Sequence, residues 1–201
     1  MVAAESKPAF LFVTVLLVTA YWLVGKAAWP GWLLILLLLW LYRDPERRIP
    51  AAPYGVISPA DAKVTVIEKK VDPVLKQPMV CIRLRLRWFG VLRLRSPSEG
   101  KITHYGFLKP DASRFGNKCM GVAIKTDEQD EVVVTVNTRT WLRRIHCYVR
   151  MGARIGQGRR CGFLSYGSVL EVFVPPTARI LVKPGQQVEA GMDLLAEFNH
   201  S

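Results

Sequence analysis

The sequence predicts an all-β cytosolic domain, a sandwich or barrel with duplicated hairpin motifs, preceded by an N-terminal membrane helical hairpin. Three observations indicate this: two apolar runs near the start, short β-rich runs from residue 55 onward, and two segments that recur within the β-rich part. With 201 residues, 50% of them hydrophobic, the chain is long enough for one domain with a core plus an appendage. We therefore divide it into a membrane hairpin (1–43), a proline-rich connector (44–54) and a β-rich domain (55–201).

Residues 9–25 and 27–42 form the two apolar runs, which the single charge of Lys26 separates. A helix needs about 20 residues to cross a bilayer core, so each run is slightly short, but Trp and Tyr gather towards the run ends as interface anchors do. The second run is apolar on every face, which disfavours a buried hairpin in a soluble protein. Whether the first run spans fully or re-enters stays open.

Basic residues follow the second run immediately, whereas the turn between the runs carries only Lys26. The positive-inside rule therefore places the rest of the chain on the cytoplasmic side of the cell (inner) membrane. The basic residues are Arg43, Arg47 and Arg48.

From Gly55 onward, short runs rich in β-branched residues alternate with Gly and Pro, and helical periodicity is nearly absent. The predicted strands are residues 64–68, 80–89, 91–95, 121–125, 131–136, 145–149, 169–174, 180–182 and 194–198.

Two patterns recur within these strands. Ser58-Pro-Ala-Asp61 is echoed by Ser96-Pro-Ser-Glu99, and a strand–turn–strand pattern with two glycines occurs twice. We expect each glycine pattern to form a hairpin whose tight bends need positive φ, similar to the half-motif of lipoyl and biotinyl sandwiches. The matching glycines are Gly152 with Gly185 and Gly158 with Gly191.

Arginine alternates with aliphatic residues between residues 82 and 95, which on a strand would place the arginines on one face. A net charge of +12 suits either nucleic acid or an anionic membrane. Because the chain carries apolar runs and no aromatic-rich nucleic-acid signature, we predict anionic phospholipid as the partner and no nucleic acid. A charged edge strand that resists aggregation is the open alternative. The arginines assigned to lipid or phosphate binding are Arg83, Arg85, Arg87, Arg93 and Arg95.

The four cysteines show neither a Cys-x-x-Cys spacing nor a histidine at metal-site distance. We therefore predict no metal, and reduced thiols in a cytosolic compartment.

Several motifs together resemble the short, membrane-associated phosphatidylserine decarboxylases. Their order and approximate spacing match from the apolar hairpin to the C-terminus. The motifs are Arg43-Asp-Pro-Glu-Arg-Arg-Ile-Pro50, Ser58-Pro-Ala-Asp61, Arg144-Ile-His-Cys-Tyr-Val149 with Gly152, and Tyr166-Gly-Ser168-Val with Pro175-Pro176.

The resemblance implies a proenzyme that cleaves itself between Gly167 and Ser168, giving a large chain (1–167) and a small chain (168–201). Ser168 would attack the Gly167 carbonyl and become a pyruvoyl group, whose ketone would form a Schiff base with the serine headgroup and replace pyridoxal phosphate. Asp61 matches the acidic partner of self-cleavage. No metal is implied, and a homodimer of such chain pairs is left open.

One position departs from the family pattern: Leu92 stands where the resemblance implies a histidine that assists decarboxylation. Leucine cannot transfer a proton, so His104 and Glu99 are the candidate substitutes. The alternative function is a related membrane protein with lost or altered decarboxylation, acting as a lipid-binding or partner-binding module.

Overall fold

The structure is a computed structural model that describes residues 14–15, 18–19, 21–22, 47, 49–50, 52–87, 93–108, 118–138, 146–163 and 169–199. The chain divides into two compact units, Met1–Glu46 and Arg47–Ser201.

In the first unit, the described residues are helical, and the Thr19 hydroxyl donates a hydrogen bond to the Val15 carbonyl oxygen (2.8 Å). Within the described residues, we find no helix of the length and apolar character needed to span a bilayer. Most of the predicted membrane hairpin, residues 1–43, lies outside the described residues.

The second unit is built from strands in its described residues, which confirms the predicted all-β domain. In chain order the strands are β1 (Gly55–Ile57), β2 (Ala62–Val71), β3 (Pro78–Leu86), β4 (Arg93–Arg95), β5 (Gly100–Leu108), β6 (Lys118–Lys125), β7 (Glu131–Thr138), β8 (His146–Cys147), β9 (Arg154–Ile155), β10 (Arg160–Phe163), β11 (Val169–Val174), β12 (Arg179–Ile180), β13 (Gln187–Val188) and β14 (Leu194–Glu197).

These strands form one eight-stranded sheet and two three-stranded sheets. The large sheet has the order β13-β2-β3-β11-β7-β6-β5-β9, and the small sheets have the orders β1-β14-β12 and β4-β10-β8. Strand β11 lies near the middle of the large sheet, paired antiparallel with β3 on one side and β7 on the other.

Both faces of the large sheet carry buried apolar residues. Successive side chains along a strand point to opposite faces, so these strands contribute to two separate cores. The larger core includes Leu84, Val134 and Val172. The smaller one joins Cys81, Phe173 and neighbours, and it is covered by residues of the β2–β3 turn. The smaller core's members are Met79, Cys81, Ala123, Val133 and Phe173, with Val74 and Leu75 packed against them.

The recurring sequence patterns occupy matching places in the fold. β13 pairs with β2 as β9 pairs with β5, and the β2 and β5 registers shift at corresponding points, between Val64 and Val66 and between Ile102 and His104. Gly152, Gly158, Gly185 and Gly191 have φ of +83°, +70°, +93° and +76°, respectively, which confirms the predicted positive φ. Their amides donate matching backbone bonds: Gly152 to Ile102 (2.8 Å), Gly185 to Val64 (2.8 Å), Gly158 to Ser96 (2.9 Å) and Gly191 to Ser58 (2.8 Å).

The hairpin prediction for these repeats is wrong. In the part of the chain that the structure describes, β12 pairs with β14 and β13 with β2, while β8 pairs with β10 and β9 with β5. In each repeat, the first glycine turn therefore carries the chain from a small sheet to the large one, and the second carries it back to the same small sheet.

Candidate functional site

The strand register brings Asp61 and the start of β11 to the same end of the large sheet. β2 begins at Ala62, directly after Asp61, and Ala62 lies opposite Leu86, where β3 ends. Val169, the first residue of β11, lies opposite Arg85 of β3, which in turn lies opposite Lys63 of β2. Two strand spacings of about 4.8 Å each therefore separate β2 from β11. We call this the Asp61 end of the sheet.

Asp61 is held at this end by contacts from two distant parts of the chain. Its side chain accepts hydrogen bonds from both terminal nitrogens of Arg47, Nη1 to Oδ1 at 2.5 Å and Nη2 to Oδ2 at 2.8 Å. The Ala190 amide donates a third bond to Oδ1 (2.8 Å). Asp61 is only 5% exposed, so these donors stabilise a charge that burial would otherwise penalise.

The two Ser-Pro segments support Asp61 by packing against each other. The Ile57 amide donates to the Pro97 carbonyl oxygen and the Arg95 amide to that of Pro59, both at 2.9 Å. The Ser58 hydroxyl donates to the Ala60 carbonyl oxygen (2.8 Å), which constrains the turn that leads into Asp61. The backbone around Asp61 is therefore tied to the second Ser-Pro segment.

The five arginines assigned to lipid binding do not share one environment. Arg85 and Arg87 are exposed, as the alternating pattern predicts. Arg83 forms ion pairs with Glu171 and Glu68, both at 3.1 Å, and Arg95 is buried, donating to the Gly158 carbonyl oxygen (3.0 Å).

The last of the five, Arg93, is partly buried, on a strand of a different sheet from β3. The prediction that the arginines of residues 82–95 share one face is therefore confirmed for β3 only. The chain passes to a different sheet before Arg93.

Glu171 is a buried carboxylate of β11 that the sequence did not single out. It is 7% exposed and lies between Arg83 of β3 and Thr135 of β7, whose hydroxyl donates to its Oε2 at 3.4 Å. Lys70 lies 4.0 Å from the same carboxylate. These cationic and hydroxyl groups offset the desolvation of Glu171 and fasten β11 to both of its neighbours.

Asn137 of β7 lies directly opposite Val169. Its side chain is buried, and its Oδ1 has no hydrogen-bond partner among the residues that the structure describes. A buried acceptor without a donor costs about 1–3 kcal/mol, which makes the Asn137 oxygen a candidate for contact with a water molecule, an ion or a ligand.

Gly167, Ser168 and Leu92 lie outside the described residues. The described strand ends that border their segments, Leu86 of β3 and Val169 of β11, are nevertheless both at the Asp61 end.

His104 is not brought to the start of β11. It is exposed on β5 and lies opposite Ala123 of β6, three strands from β11 and several residues from the Asp61 end. Its catalytic role stays a prediction that the register does not support.

Sequence reasoning missed Arg47, Lys63 and Asn137 as members of this site. Arg47 belongs to a motif that the resemblance depends on, but nothing in the sequence indicates its contact with Asp61. Lys63 could have been found, because it stands between the apolar residues Ala62 and Val64, an alternation typical of a strand with one exposed face. Asn137 follows a run of valines with no distinguishing signal.

Comparisons with known proteins agree on one family. A family model described as phosphatidylserine decarboxylase matches residues 34–196. The chain is 35% identical over 181 residues to the phosphatidylserine decarboxylase proenzyme of Burkholderia multivorans, covering 85% of this chain and 83% of the relative. It is 33% identical over 209 residues to that of Burkholderia vietnamiensis, covering 98% and 96%. No solved structure matches.

Proposed function

Because this chain belongs to the phosphatidylserine decarboxylase family, we propose that it cleaves itself between Gly167 and Ser168 and then converts phosphatidylserine to phosphatidylethanolamine and CO2. The observation that carries the site assignment is the register that brings Asp61 and Val169, the residue after Ser168, to one end of the sheet. The proposal assigns the pyruvoyl precursor to Ser168 and the acidic partner of self-cleavage to Asp61.

The self-cleavage step uses only groups of the chain and one water molecule. The Ser168 hydroxyl oxygen attacks the Gly167 carbonyl carbon, and the peptide C–N bond breaks as an ester forms. Loss of the Ser168 α-proton then breaks the Cβ–O bond and releases Gly167 as a carboxylate. Addition of water and loss of ammonia leave a pyruvoyl group on the small chain. A carboxylate near the attacking hydroxyl assists the proton transfers, which is the role proposed for Asp61.

The described residues beside Val169 fit such a group and its substrate. When present, the pyruvoyl group supplies an electrophilic carbonyl that withdraws electrons as the substrate carboxylate leaves. The buried Asn137 oxygen is an acceptor suited to the ammonium group of a serine headgroup. The exposed side chains of Lys63 and Arg85 share its face of the sheet and suit the anionic phosphodiester.

We further propose that residues 1–43 form a membrane hairpin, that 44–54 form the connector, and that the β-rich domain works on the cytoplasmic face of the inner membrane. Apolar runs followed by arginines support this arrangement. Arg85 and Arg87 would add attraction of about 1 kcal/mol each to an anionic surface. The working protein is then a large chain 1–167 with a small chain 168–201, and a homodimer of such pairs is the simplest symmetric assembly.

Intact-mass spectrometry of the full-length protein purified in detergent tests self-cleavage. We expect two chains, with the small chain lighter by one ammonia molecule than a serine-terminated fragment would be. Ser168→Ala is the control and stays intact. A single intact chain in the parent protein overturns the proposed cleavage.

Conversion of phosphatidylserine to phosphatidylethanolamine in detergent micelles tests the second step, with Leu92→His as the comparison variant. We expect turnover by the cleaved parent protein. A cleaved parent without turnover, together with turnover by Leu92→His, contradicts the decarboxylase proposal and favours the lipid-binding or partner-binding alternative.

A further inference from the structure

The ion pair between Arg47 and Asp61 joins three parts of the chain that are far apart in sequence. Arg47 comes before the β-rich domain, Asp61 precedes β2, and Ala190 lies between β13 and β14. Beyond its two bonds to Asp61, Arg47 Nη1 donates to the Ala190 carbonyl oxygen (3.1 Å), while the Ala190 amide donates to Asp61. The three groups therefore bond to each other in a closed triangle.

This geometry restricts the Asp61 carboxylate. A guanidinium that bonds both carboxylate oxygens defines the plane and the direction of the carboxylate, which one point charge does not do. The pair is also largely removed from water, since the side chains of Arg47 and Asp61 are 12% and 7% exposed. At low dielectric, a cation at this distance strongly favours the ionised carboxylate.

The second Ser-Pro segment provides a comparison, because its acidic residue is not held in a buried, bidentate ion pair. Glu99 takes the place of Asp61 in the second Ser-Pro segment, and Arg154 donates to it at 3.3 Å. Both side chains are more than half exposed, and Arg154 also pairs with Asp127. Burial and bidentate pairing thus distinguish Asp61 from its counterpart.

We propose that Arg47 is a positioning residue for self-cleavage: it holds the Asp61 carboxylate ionised and in one fixed orientation at the end of the sheet where β11 begins. This inference rests on the proposed self-cleavage and adds a role for the Arg-Asp-Pro-Glu-Arg motif. Because Ala190 belongs to the small chain, the same contacts tie that chain to the group that would act on its first residue.

The test follows the rate of chain cleavage over a range of pH in full-length protein expressed as Arg47→Gln, Arg47→Lys and Asp61→Asn. We expect Arg47→Gln to slow cleavage by about 10–100-fold, because misplaced catalytic groups lose that much rate. Without the cation, Asp61 takes up a proton more readily, so we expect cleavage to be lost at a higher pH than in the parent protein. Arg47→Lys keeps the charge without the bidentate geometry, so we expect a slower rate with a smaller pH displacement.

Arg154→Gln is the matched control, because it removes the arginine of the counterpart pair and should leave both rate and pH profile unchanged. Other charged side chains at the Asp61 end are Lys63, Arg85 and Arg87. All three are exposed, and none of the variants replaces them. Added guanidinium at concentrations too low to unfold the protein should restore part of the Arg47→Gln rate, which separates positioning from misfolding.

The outcomes are distinguishable. An intact parent chain, or normal cleavage in Asp61→Asn, overturns the proposed self-cleavage role of Asp61 itself. Suppose instead that cleavage is blocked in Asp61→Asn. The positioning role of Arg47 alone is then overturned if Arg47→Gln cleaves like the parent, or if it is slowed equally at every pH and guanidinium does not restore its rate.

Discussion

The pKa of the Cys81 thiol depends on its burial and on the charged side chains around it. Cys81 is fully buried on β3, and burial, followed by the nearby Glu171 carboxylate, raises the pKa of its thiol from 9.0 to about 12. Arg83 and Lys70 act in the opposite direction, but burial dominates. Cys81 is therefore a protonated, unreactive thiol at physiological pH.

We expect native Cys81 to resist alkylation by iodoacetamide at pH 9 and to react once the chain is unfolded in urea. Peptide mass mapping measures the labelling. Because the raised pKa favours the folded state only while the thiol is protonated, this stabilisation is full below pH 9 and is lost as pH rises through about 12. The difference in unfolding free energy between the parent and Cys81→Ala should narrow over that interval. Labelling of folded Cys81 at the unfolded rate would contradict this account.

At the level of secondary structure, sequence patterns predicted the buried strands best. Strands β7 and β11 appear where valine-rich runs predict them, because both faces of these strands are buried. β5 was not predicted as a strand, since Gly106 and exposed polar residues interrupt any alternation. The glycine turns were recognised by their spacing, but their pairing depends on contacts with strands far away in sequence.

The link between β3 and β11 gives a prediction at this scale. Arg83→Gln leaves the buried Glu171 carboxylate with a weaker partner, and we expect the free energy of unfolding to fall by about 1–3 kcal/mol. Arg85→Gln on the same strand is the control, and since Arg85 is exposed, its effect should stay within about 0.5 kcal/mol. Urea unfolding followed by circular dichroism measures both, and equal effects would show that the ion pair contributes nothing.

For the whole molecule, the sequence was sufficient to identify the family, whereas the arrangement around Asp61 required the folded chain. The motif that contains Arg47 is recognisable, but its bonds to Asp61 and Ala190 join segments that only tertiary structure brings together. Likewise, alternation could not separate the exposed arginines from Arg83 and Arg95. The partners of Arg83 and Arg95, Glu171 and Gly158, come from segments far away in sequence.

The position of β11 predicts how the cleaved protein behaves. After cleavage, the small chain still contributes β11 to the middle of the large sheet, and β13 and β14 to the pairing with β2 and β1. We expect both chains to co-elute in gel filtration at the volume of intact Ser168→Ala and to separate only in denaturant. Release of the small chain under native conditions would show that these pairings do not hold it.

The symmetry of the large sheet has a consequence for chain topology. The sheet order has two matching halves, β13-β2-β3-β11 and β9-β5-β6-β7. In the second half, a short turn of residues 126–130 joins β6 to β7. At the matching place in the first half, the whole segment 87–168 separates β3 from β11. Gln129, two residues before β7, has a φ of +73°, a conformation that glycine adopts most easily, and in the sequence Gly167 stands two residues before β11. By this symmetry the proposed cut corresponds to the position of the β6–β7 turn, and turns are among the places where folded chains best tolerate new termini. The proposed self-cleavage would therefore leave the strand pairings of the large sheet intact.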